Sequence, residues 1–124
     1  RARSFIYTTA LSPADAAAAN AALHIYRSAE GEQLRARLRE LVERVRPGHP
    51  SPIVPIILGA DRAALQAAEM LLSHGIHIPA IRPPTVPPGT SRLRVALSAA
   101  HSDAMIDRLL SALAELRLES ARHA

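Results

Sequence analysis

The chain contains no cysteine and no tryptophan among its 124 residues. Without cysteine, a disulfide framework, a thiolate metal site and a cysteine nucleophile are all excluded, and a reducing, cytoplasmic setting is the expectation. Aromatic residues amount to 2% (Phe5, Tyr7 and Tyr26). A core must therefore be assembled from Leu, Ile, Val and many Ala, which favours closely packed helices over a β-sandwich. Lysine is absent as well: all 15 basic residues are Arg. Any chemistry that begins at a lysine amine, including covalent attachment of an aldehyde cofactor, is closed to this chain by itself. No apolar run approaches the roughly 20 residues of a membrane-spanning helix, and no N-terminal stretch has the pattern of a signal peptide. No membrane partner is expected.

What is present is the size of one ordinary domain with 48% apolar residues, enough for a buried core. The formal charge of +4 invites a nucleic-acid reading. However, Arg35, Arg37, Arg39, Arg44 and Arg46 alternate with Glu32, Glu40 and Glu43 in the mixed-sign pattern of a solvated helix, so no nucleic-acid partner is expected. The first residues, Arg1-Ala2-Arg3, include no initiator Met, which suggests that further chain precedes them.

Ser12-Pro13-Ala14-Asp15 predicts a helix start: a capping hydroxyl, a proline suited to the first turn, and an acid at the positive end of the helix dipole. The Ala-rich run behind it reads as a tightly packed helix to about Arg27. After Gly31 a second helical stretch, continuing the first after a break or bend, places Leu34, Leu38, Leu41, Val42 and Val45 on one stripe. Pro47-Gly48-His49-Pro50-Ser51-Pro52 stops it and marks the best boundary in the chain. Ile53 to Leu58 predicts a buried strand, with Pro55 placing it at an edge or a bulge. A helix opens at Gly59-Ala60-Asp61, turns Leu65, Ala68, Leu71 and Leu72 inward and ends at Gly75. Ile76 to Ile81 predicts a second strand, and the four prolines between Arg82 and Gly89 predict a stiff loop.

Strict alternation in Arg92 to Leu97 puts Leu93, Val95 and Leu97 on one face and Arg92, Arg94 and Ala96 on the other. Ser102 is positioned to cap a last helix with Met105, Ile106, Leu109, Leu110 and Leu113 buried, and the tail after Leu118 looks frayed. The six His residues lack the i, i+4 spacing of a helical metal site, and Pro84-Thr85-Val86-Pro87 is too short and common a pattern to imply an SH3-type partner.

Two segments carry a family resemblance that covers essentially the whole chain. Phe5 to Pro13 resembles the stretch that follows the cofactor lysine in the α-oxoamine synthases, which are fold-type I pyridoxal-phosphate enzymes. Ala80 to Thr90 with Ser91 to His101 is more specific. Its Arg82-Pro83-Pro84 resembles the biotin-pathway branch, where sister branches carry a tyrosine-containing sequence. By this resemblance the chain matches the C-terminal third of the enzyme, with residues 1–50 ending the large domain as an interdomain helix and residues 51–124 forming the C-terminal small domain. The implied fold is α+β, a short sheet of two or three strands with helices on one side. The implied activity is a pyridoxal-phosphate-dependent acyl transfer that condenses L-alanine with a pimeloyl thioester and loses carbon dioxide, in a homodimer.

The resemblance also assigns roles. Arg94 aligns with the family's substrate-carboxylate Arg, a task suited to a planar, two-pronged, permanently charged donor. Arg92 on the same face is the alternative, or else a structural salt bridge. Thr85 aligns with a substrate-contacting residue, and its other reading is a solvent-facing loop threonine. Arg82 lines the substrate channel or pairs with a surface acid. Thr8 and Thr9 align with hydroxyls presented to the cofactor phosphate across the subunit interface, or are strand-favouring residues before a helix.

The sequence departs from the family in two places. Arg46 to Ser51 is shorter than usual, where the family carries a loop and a short strand: either that loop was lost or residues are missing from this chain, which leaves the strand order of the small sheet and one of its edge strands open. The segment with the cofactor lysine is absent, so the isolated chain is expected neither to bind the cofactor covalently nor to turn over alanine. The competing readings are a sister acyltransferase using another amino acid, and a non-catalytic interaction module derived from the family.

Overall fold

The structure is a computed structural model that describes residues 11–122. Contacts divide the chain into residues 1–36 and residues 37–124. In the first part, helix α1 (Pro13–Tyr26) has Pro13 in its opening turn and Asp15 close behind. Ser12 occupies the cap position, but its side chain makes no capping bond. The tight packing expected of the Ala-rich run is not made among the described residues, because every residue of α1 is exposed.

Helix α2 (Ala29–Val45) follows a break at Arg27-Ser28, so Gly31 lies inside its first turn rather than before it. The reason is steric. A Cβ on Gly31 would fall 2.2 Å from the Ile25 carbonyl oxygen and 2.8 Å from that of Tyr26, closer than any side chain tolerates. Ser28 fastens the joint: its Oγ donates to the Ile25 carbonyl (2.7 Å) and accepts the Gly31 N–H (3.2 Å). Arg35 closes it, donating to the Tyr26 carbonyl (2.6 Å) with its guanidinium 4.5 Å from that ring's centroid, within reach of a cation–π attraction.

In residues 37–124 the chain runs through β1 (Ile53–Gly59), α3 (Asp61–Ser73), β2 (Ala80–Ile81), β3 (Ser91–Ala96) and α4 (Asp103–Arg122). The three strands form an antiparallel sheet in the order β1-β3-β2. Alternation on β3 holds as the sequence predicts, with Leu93 at 0% and Val95 at 2% exposure and Arg94 exposed. The buried face of the sheet, with Val54 from β1, joins Leu41 and Val42 of α2, Ala67 and Leu71 of α3, and Ile106 and Leu109 of α4 in one apolar core. Helices thus cover one side only.

Several element details differ from the sequence expectation. On α3 the inward stripe is Ala64, Ala67 and Leu71, while Leu65 and Leu72 are 45% and 56% exposed. Each of these leucines follows an inward residue by one position, about 100° around the helix. Met105 on α4 is also exposed, and the buried stripe there is Ile106, Leu109, Ala112 and Leu116. The α4 backbone stays helical to Arg122, past the Leu118 where fraying was expected. The predicted strand over residues 76–81 shortens to Ala80–Ile81. The Pro79 carbonyl still accepts the Arg94 N–H (3.2 Å), but Pro79 has no N–H to return, so the pairing stops there.

Pro55 lies on an edge strand, and a bulge follows between Ile57 and Gly59, as its presence predicts. The short Arg46–Ser51 junction covers that edge. The Ile53 N–H donates to Ser51 Oγ (3.1 Å), His49 Nε2 bonds the Ile53 carbonyl (3.0 Å), and Arg46 donates to the Pro55 carbonyl (3.1 Å). Side chains here satisfy groups that a further strand would otherwise pair, which blunts the edge.

Polar ties complete the domain. Ser102 Oγ accepts the Met105 N–H (3.2 Å), the cap expected at the start of α4. Arg37 and Arg44 of α2 both pair with Asp103, Arg37 at 2.9 Å, and Arg44 also pairs with Asp107. The Arg37 hydrogen bond holds the Asp103 carboxyl below the usual carboxylate range, partly offset by desolvation and reinforced by the charges of Arg37 and Arg44. Ser91, fully buried, donates its Oγ proton to the Asp61 carboxylate at the start of α3.

Candidate functional site

β2 and β3 are joined by the loop Arg82–Thr90, which carries Arg82 and Thr85, and the open face of β3 carries Arg92 and Arg94. Cross-strand pairing fixes which side chains share that face. Ile53 opposes Ala96, Pro55 opposes Arg94 and Ile57 opposes Arg92, while Ile81 opposes Arg92 from the other side. Ile53 and Ile57 are 50% and 62% exposed. The result is a shallow apolar surface from which two guanidinium groups rise.

The two arginines differ. Arg92 is half-buried, and its Nε donates to the Thr90 carbonyl at 2.8 Å. Its structural tie is therefore to its own loop backbone rather than the salt bridge weighed from the sequence. Arg94 is exposed, and its guanidinium has no partner among the described residues. An uncommitted guanidinium on an apolar surface retains its full set of donors for a planar anion such as a carboxylate.

Arg82 and Thr85 form a turn in which the Thr85 N–H donates to the Arg82 carbonyl (3.0 Å), across the cis Pro83-Pro84 bond. Both side chains are exposed, and no acid pairs with Arg82 among the described residues. Thr90 Oγ1 donates to the Pro87 carbonyl (2.7 Å) and pins the far end of the loop. The loop thus leaves after Ile81 and returns at Ser91, three residues and about 10 Å of strand before Arg94. Thr8 and Thr9 lie outside the described residues. Among the described residues no cluster of His, Asp or Glu could hold a metal ion, and no helix is long and apolar enough to cross a membrane.

A second feature lies at the helix side of the same strand. A cavity of about 440 Å³ opens between residues 75–79, β3 and α4, with Arg94 on its border and His77, His101 and Arg108 among its lining. The sequence reading of these His residues went no further than their lack of helical metal-site spacing. The signal that could have singled out this place was Pro79, which ends the β2 pairing and leaves the strand edge beside it open.

This fold and this open, basic sheet face place the chain in a class. It belongs to the aminotransferase class I and II family, whose model matches residues 1–113, and its fold is that of the fold-type I pyridoxal-phosphate transferases. The relatives are more particular. The 8-amino-7-oxononanoate synthase of Bordetella petrii is 48% identical over 130 residues, covering 97% of this chain and 33% of that protein. The 8-amino-7-oxononanoate synthase structure from Francisella tularensis superposes with a TM-score of 0.76 at 25% identity, covering 98% of this chain and 37% of that one. A serine palmitoyltransferase from S. paucimobilis, solved with bound PLP and myriocin, gives a TM-score of 0.78 at 25% identity over 89% of this chain and 30% of that one. The chain spans about a third of the length of the curated relatives it matches. The Bordetella alignment, at 130 residues, is longer than the chain's own 124, so that relative carries residues inside the matched region that this chain lacks.

The residues present do not fit pyridoxal phosphate as a complete site. No lysine exists anywhere in the chain, so no amine is available to hold the aldehyde. The exposed Arg94 offers donors for a planar anion.

Proposed function

We propose that this chain is the C-terminal part of an enzyme that makes 8-amino-7-oxononanoate, condensing L-alanine with a pimeloyl thioester in a pyridoxal-phosphate-dependent homodimer. In this reading Arg94 grips the carboxylate of alanine, Thr85 and Arg82 on the rigid proline loop form the wall beside it, and Thr8 and Thr9 serve the cofactor phosphate. Residues 51–124 act as the small domain, and residues 1–50 tie it to the remainder of the enzyme, which brings the cofactor and its lysine. The observation that carries the reading is the contrast between Arg92, bonded to its own loop, and Arg94, exposed and unpaired on the same face.

The division of labour follows from charge and geometry. A bidentate guanidinium–carboxylate contact fixes the amino acid's orientation without consuming a proton, and it retains its charge at any working pH. The flanking prolines hold the Thr85 hydroxyl in place before substrate arrives, which lowers the ordering cost of binding. The apolar residues Ile53, Pro55 and Ile57 surround the Arg94 strand with surface that strengthens the ionic contact once it is covered.

The test is the Arg94→Ala variant of the assembled enzyme. Loss of a bidentate charge-assisted contact costs roughly 2 kcal/mol or more, about a thirtyfold drop in kcat/KM for alanine. A sister reading, in which serine or glycine replaces alanine, is favoured by the likeness to serine palmitoyltransferase. Comparing the three amino acids as substrates decides between them.

A further inference from the structure

We propose that Ser91 and Asp61 are a positioning pair for the reaction: their hydrogen bond sets the loop Arg82–Thr90, and with it Thr85 and Arg82, against the start of α3. The proposal rests on the reading of that loop as the wall beside the bound amino acid. It adds two residues that touch no substrate themselves and act through the loop.

The loop has little else to place it. Arg82, Pro84, Thr85, Pro87, Pro88 and Gly89 are all exposed, so packing contributes little. Its internal bonds are short-range: the Thr85 N–H reaches back to the Arg82 carbonyl, and the Thr90 N–H and Oγ1 both donate to the Pro87 carbonyl (3.2 and 2.7 Å). Bonds of this kind give the loop its own shape and leave its position on the domain to its two roots. At the entry, Ala80 and Ile81 pair with Leu93 and Arg92. At the exit the β1–β3 pairing is irregular, with a bulge between Ile57 and Gly59 just where Gly59 meets Ser91, so the ladder alone defines that root less sharply.

Side chains supply what the ladder lacks. Thr90 bonds Pro87 and Arg92 bonds Thr90, both within the loop's own backbone, whereas Ser91 reaches a different element. Its hydroxyl is fully buried and needs an acceptor there. The acceptor is the Asp61 carboxylate in the first turn of α3, which makes the bond charge-assisted and about twice as strong as a neutral one. Helix α3 is a firm anchor, since Ala67 and Leu71 fasten it into the core. The backbones are also close here: a Cβ on Gly59, whose φ is +82°, would stand 3.6 Å from the Gly89 carbonyl oxygen. The end of the loop and the entry to α3 thus meet at two neighbouring points, and a support of this kind is what holds a contacting residue in its productive place.

The experiment measures steady-state kinetics of the assembled enzyme with L-alanine, for Asp61→Ala, Asp61→Asn, Ser91→Ala and the Asp61→Ala/Ser91→Ala double variant. Asp61→Ala is expected to raise KM for alanine about tenfold with kcat within about twofold. A merely structural role would instead lower the amount of active enzyme, and so kcat, with KM unchanged. Asp61→Asn keeps a carbonyl oxygen to accept the Ser91 proton and should stay within about threefold of the unaltered KM. The double variant should be no worse than the more damaging single, because both remove one bond. An unchanged KM in Asp61→Ala, or an Asp61→Asn variant as impaired as Asp61→Ala, overturns the proposal. Asp61 is exposed, so its two variants decide the matter even if Ser91→Ala fails to fold. Thr85→Ala separates the two possible failures. If it raises KM while Asp61→Ala does not, the wall stands and the pair falls; if neither raises KM, the reading of the loop as a wall falls as well.

Discussion

The two faces of the three-stranded sheet come from the same alternation of residues and meet different fates. On one, Val54, Leu93 and Val95 are buried under α2, α3 and α4. On the other, Ile53, Ile57 and Arg94 stay exposed. A face covered within the chain contributes stability, whereas an apolar face left open with an unpaired guanidinium on it is available for binding. Substitutions one residue apart on β3 should therefore act on different properties.

The largest effect on stability belongs to the covered face. Leu93→Ala removes a fully buried side chain and should cost about 2–5 kcal/mol in urea unfolding of this chain; a loss below about 1 kcal/mol would break the contrast between the faces. Ser91→Ala, on the same side of β3, strips the Asp61 carboxylate of a buried hydroxyl donor and should cost about 1–3 kcal/mol. Ile57→Thr on the open face should change stability by no more than about 0.5 kcal/mol.

The smallest effect is electrostatic. Because Asp103 has its carboxyl pKa depressed in the folded state, its ionised form favours folding. That contribution is complete above the ordinary carboxylate range near pH 4 and is lost as pH falls through the lower folded value. An acid titration of the Asp103→Asn variant should lack this part of the decline seen in the unaltered chain. Identical profiles would show that the Arg37 contact does not couple to folding.

Much of this was legible in the sequence, for reasons that are local. The period of two in residues 92–97 set the faces of β3, Pro55 announced an edge strand with a bulge, and Ser102 announced the start of α4. Legibility failed where partners distant in sequence decide. Leu65, Leu72 and Met105 are hydrophobic by composition, but the rotation of α3 and α4 against the sheet turns Ala64 and Ala67 of α3 and Ala112 and Leu116 of α4 inward instead. The Gly31 contact depends on two carbonyls of the preceding helix, and the Ser91–Asp61 bond joins residues 30 positions apart. At the candidate site the alternation placed Arg92 and Arg94 together but could not separate them. That distinction comes from the Thr90 carbonyl, which engages one and leaves the other free.

The most direct measurement compares Arg94→Ala with Arg92→Ala in the assembled enzyme, reading kcat/KM for L-alanine with the thioester held saturating. A drop of about thirtyfold or more for Arg94→Ala, alongside a change of less than about threefold for Arg92→Ala, is the predicted result. Unchanged alanine kinetics on losing Arg94, or a larger loss from Arg92, would contradict the assignment of the open sheet face as the amino-acid clamp.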